Sequence, residues 1–222
     1  MGRFVRVQDG ALALREAGHE VYTPGLTGIG ERTHLTSPQV DLTTHVTDVA
    51  NTILYEDLSD IVLLGYSYGD MVVTGALEHV ADHVTLLVYL DAFLPRDGDS
   101  LNDLARASYS GGPAGPGAEW LAPPPGRSFD NPGEAAWQGV RRVPHPARCF
   151  SKPVWLRKPL EDYSFTRTYI KALDEPRPAP GVPPRTSTIM SRSGLSSPRT
   201  RCSSVVPKPA RCRLRASTGS ER

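Results

Sequence analysis

Apolar residues follow strand and helix spacing over roughly the first 175 positions and then lose any pattern. Phe4-Val5-Arg6-Val7 predicts a short strand and Gln8-Asp9-Gly10 a turn. Ala11 to Ala17 predicts a helix closed by Gly18, and Glu20-Val21-Tyr22-Thr23 a second strand stopped by Pro24. Gly25-Leu26-Thr27-Gly28-Ile29-Gly30-Glu31-Arg32 predicts a loop. A phosphate cradle there is disfavoured, because no lysine follows and no helix starts in register with it. From Asp41 to Asp57 the apolar positions Leu42, Val46, Val49, Ile53 and Leu54 fall at helical spacing. Ile61 to Leu64 and Thr85 to Leu90 are unbroken apolar runs, the pattern of strands buried on both faces. Between them a helix is expected from Tyr68 to about Val80, with Met71, Val72, Gly75 and Ala76 toward the sheet. This alternation predicts an α/β fold, a parallel sheet covered by helices.

Regularity fails from Pro95 to about Pro159, where Gly and Pro are dense and Trp120, Phe129, Trp137 and Trp155 are scattered. A segment of this kind between strands is either a cap over an active site or a surface insertion. Phe165 to Leu173 then predicts a strand with Asp174-Glu175 at its C-terminal end. No aromatic residue follows Tyr169, and Ser, Arg and Pro dominate from Glu175 on, so the composition predicts a disordered tail. The expected organisation is a body over residues 1–180, with a cap-like insertion at about 96–160, and a basic tail over 181–222.

The net charge of +1 hides an asymmetry. From Pro183 to Arg222 there are eight Arg, one Lys and a single acid, Glu221, so this segment carries +8 and the rest about −7. Charge alone is weak ground for nucleic-acid binding, and solvated disorder is the preferred reading of the tail. No apolar run is long enough for a transmembrane span, and Met1 to Val7 lacks the apolar core of a signal peptide. Cys149, Cys202 and Cys212 lack metal-ligand spacing and are expected as reduced thiols, which together with these features implies a cytoplasmic protein.

The chemistry centres on Gly65-Tyr66-Ser67-Tyr68-Gly69, a G-x-S-x-G pattern preceded by an apolar strand and followed by an amphipathic helix. In that context the pattern is a nucleophile elbow, a tight strand-to-helix turn that lifts a serine to the end of a sheet. Its glycines are expected where strand and helix backbones pass too close for a Cβ. The N-terminal amides of the helix then point at the reaction centre.

Residues Leu12 to Leu101 resemble the α/β-hydrolase superfamily, and in particular its small-esterase branch, which also contains plant methyl esterases and hydroxynitrile lyases. The resemblance rests on Ala17-Gly18-His19-Glu20-Val21-Tyr22-Thr23-Pro24, Leu26 to Arg32, Val40-Asp41-Leu42, the Gly65 to Gly69 pattern and Val88-Tyr89-Leu90-Asp91-Ala92-Phe93-Leu94-Pro95. It implies an incomplete α/β-hydrolase fold, lacking the last strand and helix, and an esterase-type reaction on small esters. Ser67 would be the nucleophile, the Tyr68 amide an oxyanion donor, and Asp174 the acid, with Asp91 as second choice. No cofactor or metal is implied, and the partner is a small ester-like substrate rather than a nucleic acid or a membrane.

Three departures from the family pattern bear on turnover. Only Gln8-Asp9-Gly10 lies where the family has a His-Gly loop that gives a second oxyanion donor. Asp70 stands in place of a glycine, and a carboxylate there is favourable to the helix but not to an oxyanion. The family's histidine lies near the C-terminus, whereas the last histidine here is His145. His19, His34, His45, His79 and His83 read as surface or structural residues, and His145, in the insertion, is the one surrogate base to consider. A non-catalytic, hydrolase-like binding protein is therefore the main alternative. A lyase is a minor one, with Lys152 and Lys158 the only candidate pocket lysines of the body before Lys171. The tail reads like a shifted frame of a GC-rich gene. If so, one of the other two frames of the coding DNA restores a strand, a histidine and a helix, and finding none of these would dispose of the idea.

Overall fold

The computed structural model describes residues 7–106, 117–124 and 132–171, of which 7–9 are described for backbone alone. All of them fall within the unit Met1–Ser191. The expected tail, Asp174 and the start of the chain through Arg6 lie outside the described residues.

Helix α1 (Val7–Glu16) begins where the sequence predicts the end of a strand and takes in the expected Gln8-Asp9-Gly10 turn. Its end is as expected. Gly18 sits at φ +90, its amide donates to Arg15 O, and the His19 amide donates to Leu14 O, a Schellman closure. Glu20 to Thr23, expected as a strand, pairs with nothing in the described sheet and runs on as irregular chain. The alternation of two apolar residues alone cannot form a strand without a ladder partner.

Helix α2 (Leu42–Tyr55) opens with a capping box, in which Asp41 accepts from the Thr43 and Thr44 amides and Thr44 returns a bond to the Asp41 amide. Its buried stripe is Leu42, His45, Val46, Val49, Ala50 and Ile53. Strand β1 (Ile61–Tyr66), helix α3 (Gly69–Val80) and strand β2 (Val84–Leu90) follow as one right-sized crossover unit. The segment after β2 holds helix α4 (Leu101–Ala105), strand β3 (Leu121–Ala122), helix α5 (Pro132–Gly139), strand β4 (His145–Pro146) and helix α6 (Arg148–Ser151). Strand β5 (Thr166–Ile170) then returns to the sheet.

The described sheet has the order β1-β2-β5, and both pairings are parallel. Val62 lies beside Leu86, Leu64 beside Val88 and Tyr66 beside Leu90, and Leu86 to Leu90 in turn align with Thr166 to Ile170. Strands β3 and β4 form a separate antiparallel pair. The core lies on one face of the sheet. There Leu63, Leu87 and Tyr89 meet Met71, Val72, Ala76 and Val80 of α3, with Leu42, Val46, Val49 and Ile53 of α2 behind them. Burial on both faces, expected for β1, is not seen: Val62 is 59% and Leu64 45% exposed, although Val88, beside Leu64 on β2, is buried. No helix among the described residues is long and apolar enough to cross a membrane.

Gly65 and Gly69 of the elbow differ in a way the motif does not reveal. A Cβ on Gly65 would lie 2.8 Å from Asp70 Cα, 2.8 Å from Val73 Cγ2 and 2.9 Å from the Asp70 amide nitrogen. A Cβ on Gly69 would meet nothing within 4 Å, so the expected close approach holds at Gly65 alone. Gly65→Ala should therefore lower stability by about 1–3 kcal/mol through overpacking, whereas Gly69→Ala should cost far less. Urea midpoints of the two variants check this, and equal losses would contradict the packing account.

Candidate active site

The site is built at the C-terminal ends of parallel strands, where α/β sheets present their functional groups. Strand β1 ends at Tyr66 and α3 starts at Gly69, so the chain reverses within two residues. Ser67 takes that turn in the left-handed region, at φ +50, a conformation costly to a residue with a Cβ. Tyr68 follows at φ −53, ψ −26 as the cap of α3. The Asp70 amide donates to Ser67 O and the Met71 amide to Tyr68 O, both at 3.1 Å, which draws the turn closed. The amides of Tyr68 and Gly69 head the helix, where backbone N–H groups have no intrahelical acceptor. This is the strained serine and amide-rich helix start that an elbow requires.

Asp70, expected as a helix-start carboxylate, is fully buried. Its Oδ1 accepts from the Met71 amide and its Oδ2 from the Phe93 amide, each at 2.6 Å. It therefore fastens the start of α3 to the chain leaving β2, rather than facing solvent. Burial pushes its carboxyl up to about 7, against the pull of those amides.

Behind the elbow, the side chain of Tyr68 enters a buried polar cluster that sequence spacing does not indicate. Its hydroxyl lies 2.9 Å from His45 Nδ1, and His45 Nε2 lies 2.8 Å from Thr27 O. A carbonyl can only accept, so Nε2 carries the proton and Nδ1 accepts from the tyrosine. Thr27 is held in turn by Asp48, whose carboxylate accepts from the Thr27 amide at 2.7 Å and hydroxyl at 2.9 Å and pairs with Arg32 at 3.2 Å. The glycine-rich loop thus spends its Thr27 amide on a carboxylate of its own chain. Burial lowers the pKa of His45, raises that of Tyr68 well above the usual phenol value, and pushes the Cys149 thiol beside it up to about 12.

His145 completes this cluster and makes no hydrogen bond to Ser67. Its ring lies edge-on to Tyr68 at 4.9 Å and against Phe150 at 4.5 Å. Its Nε2 is buried with no hydrogen-bond partner, so it makes no bond to Ser67. Burial, aided by His45, pushes its pKa down to about 3, which makes it a poor proton acceptor. Among the other histidines, His19, His34 and His79 are exposed, and His83 Nδ1 donates to Leu58 O at 2.7 Å. His45 is the structural histidine the sequence suggests, though buried in the core rather than set at a junction.

Asp91 closes β2 at φ +42, its amide donating to Ile170 O at 2.7 Å, with its side chain exposed. It sits one strand over from Ser67 at the same sheet end, as a strand-end residue. Asp174 would follow β5 and lies outside the described residues. Of the two candidate lysines, Lys152 pairs with Asp41 at 2.7 Å and Lys158 lies over the Tyr163 ring at 4.3 Å.

The Asp70 carboxyl titrates near 7 in the folded chain and near 3.9 in the unfolded one, so the folded state holds its proton more tightly. That contribution is complete below about pH 4 and is lost as pH rises through 7, at most about 4 kcal/mol. Thermal midpoints should thus fall between pH 5 and pH 8, and Asp70→Asn should flatten that slope while lowering the midpoint overall. An unchanged slope in the variant would assign the titration elsewhere.

Comparison with known proteins agrees with this geometry. The model of the alpha/beta hydrolase family matches residues 3–211. A carbendazim hydrolyzing esterase from Nocardioides sp. (strain SG-4G) is 52% identical over 94 residues, which are 42% of this chain and 39% of that protein. The match thus spans well under half the length of that curated relative. Among solved structures, an extracellular alpha/beta-hydrolase from a Paenibacillus species, described as sharing structural and functional homology with tobacco salicylic acid binding protein 2, is 26% identical with a TM-score of 0.61, covering 72% of this chain and 68% of that one. A methylesterase from Arabidopsis, 21% identical over 71% of this chain and 68% of its own with a TM-score of 0.51, shares the fold. With the strand-turn-helix elbow in place and the family model spanning nearly the whole sequence, the chain belongs to the alpha/beta hydrolase family.

Proposed function

We propose that the protein is an esterase-type serine hydrolase acting on small esters, slowed by the lack of a base facing its nucleophile. The observation that carries this reading is Ser67 at φ +50 in the turn between β1 and α3. In the proposed step Ser67 Oγ bonds to the ester carbonyl carbon, the ester C–O bond breaks, and the alcohol leaves with the serine proton. The Tyr68 amide donates to the developing oxyanion, an interaction typically worth about 3 kcal/mol of barrier. Asp174 would be the acid of the site. The esterase name of the Nocardioides relative supports the substrate class.

A second reading is a hydrolase-like protein that binds small molecules without turning them over. One observation favours it: among the described residues no histidine hydrogen-bonds Ser67. A serine site without its base keeps only about 10³–10⁴-fold acceleration over water.

A fluorophosphonate probe separates the two. The expected result is slow labelling that maps to Ser67, vanishes in Ser67→Ala and parallels weak hydrolysis of a small aryl ester. Ester hydrolysis that survives Ser67→Ala would overturn the serine mechanism. A folded protein that binds esters yet never labels would favour the binding reading.

A further inference from the structure

Beyond any reaction at Ser67, we propose that His45, His145 and Cys149 form a structural site for a borderline-soft divalent metal ion, with zinc as the representative ion. The three come from α2, β4 and the start of α6, and their ligand atoms lie within 4.8 Å of one another. Two imidazoles and a thiol are a donor set suited to zinc.

Three features of the cluster fit an ion better than a plain hydrogen-bond network. His145 Nε2 is buried with no partner, and a lone pair left unmet in the interior costs free energy unless something binds it. His45 donates Nε2–H to Thr27 O, the carbonyl contact that orients a metal-ligating imidazole, so Nδ1 is its ligand atom, exchanging the hydrogen bond it accepts from the Tyr68 hydroxyl for the ion. Thr27 itself is clamped by Asp48, so this outer contact is fixed by α2. Cys149 is fully buried, so its sulfur faces the same interior space as the two imidazoles. Ligand atoms around tetrahedral zinc stand about 3.5 Å apart, so the three atoms need to draw in by roughly 1 Å. The Tyr68 hydroxyl, 2.9 Å from His45 Nδ1, is the neighbouring oxygen. An ion here would fasten the chain between β2 and β5 to α2, directly behind the residue that follows Ser67.

A metal–thiolate bond forms only as the thiol gives up its proton, so binding at Cys149 releases that proton to the buffer. The full chain, stripped with a chelator and dialysed against Zn²⁺, should retain one equivalent, release about one proton per ion near pH 7, and melt at higher temperature. Co²⁺ in place of Zn²⁺ should give a near-ultraviolet thiolate-to-cobalt charge-transfer band. Losing an outer contact typically weakens a metal site 10–100-fold, so loss of a ligand in Cys149→Ser or His145→Gln should weaken zinc by at least about 100-fold. Replacing the tail thiols, Cys202→Ser with Cys212→Ser, should change nothing. No retained zinc, cobalt bound without the thiolate band, or uptake that survives Cys149→Ser and disappears with the tail cysteines would each overturn the proposal. The proton count and the cobalt spectrum are read on the unaltered chain, so they decide the matter even if a variant fails to fold.

Discussion

The approach of the β1 backbone to the first turn of α3 is the contact on which the rest of the structure depends. Less than 3 Å separates the position of an absent Gly65 Cβ from the Asp70 backbone. That approach fixes where the helix starts, and so forces Ser67 into the left-handed region and aims the heading amides past it. It also sets Asp70 deep enough to reach the Phe93 amide across the exit of β2. One missing methyl group thus couples the serine, the helix and the neighbouring strand. Packing does the rest. Met71, Val72, Ala76 and Val80 seal the helix to Leu63, Leu87 and Tyr89, and burial of such side chains is worth roughly 1.5–3 kcal/mol each.

The polar interior is arranged around the same helix start. From Asp48 through Thr27 and His45 to the Tyr68 hydroxyl, each donor finds an acceptor, and the chain of contacts runs from the glycine-rich loop to the elbow. Networks of this kind are stable when complete and costly when one member is left over. His145 Nε2 is such a remainder, and its isolation behind Tyr68 is what separates it from any role beside Ser67.

Much of this was legible in the sequence where a local pattern and its tertiary partner coincide. The apolar runs of β1 and β2, the spacing of α2 and α3, and Gly18 as a helix stop all express short-range rules that the fold then honours. The element that failed is Glu20 to Thr23, where alternation was right for a strand and no ladder partner is present in the described sheet. Helix α1 likewise takes in the expected turn at Gln8-Asp9-Gly10, since helix formation over Ala11 to Glu16 extends back through it, one bond per residue fixed. In the site, Ser67 could be read because its motif is contiguous. The meeting of His45, Tyr68, His145 and Cys149 could not, because it joins residues about a hundred positions apart and only packing brings them together. Asp70 was legible as a departure from family pattern, but its burial and its bond to Phe93 were not.

The exposed side chains of β1 have a consequence for handling. Val62 and Leu64 point outward from a strand that is also at the edge of the described sheet, so an apolar ladder and unpaired backbone groups are offered together. Such a surface makes self-association grow with protein concentration and with salts that strengthen apolar burial. Concentration and salt would then matter at this strand before the core is disturbed.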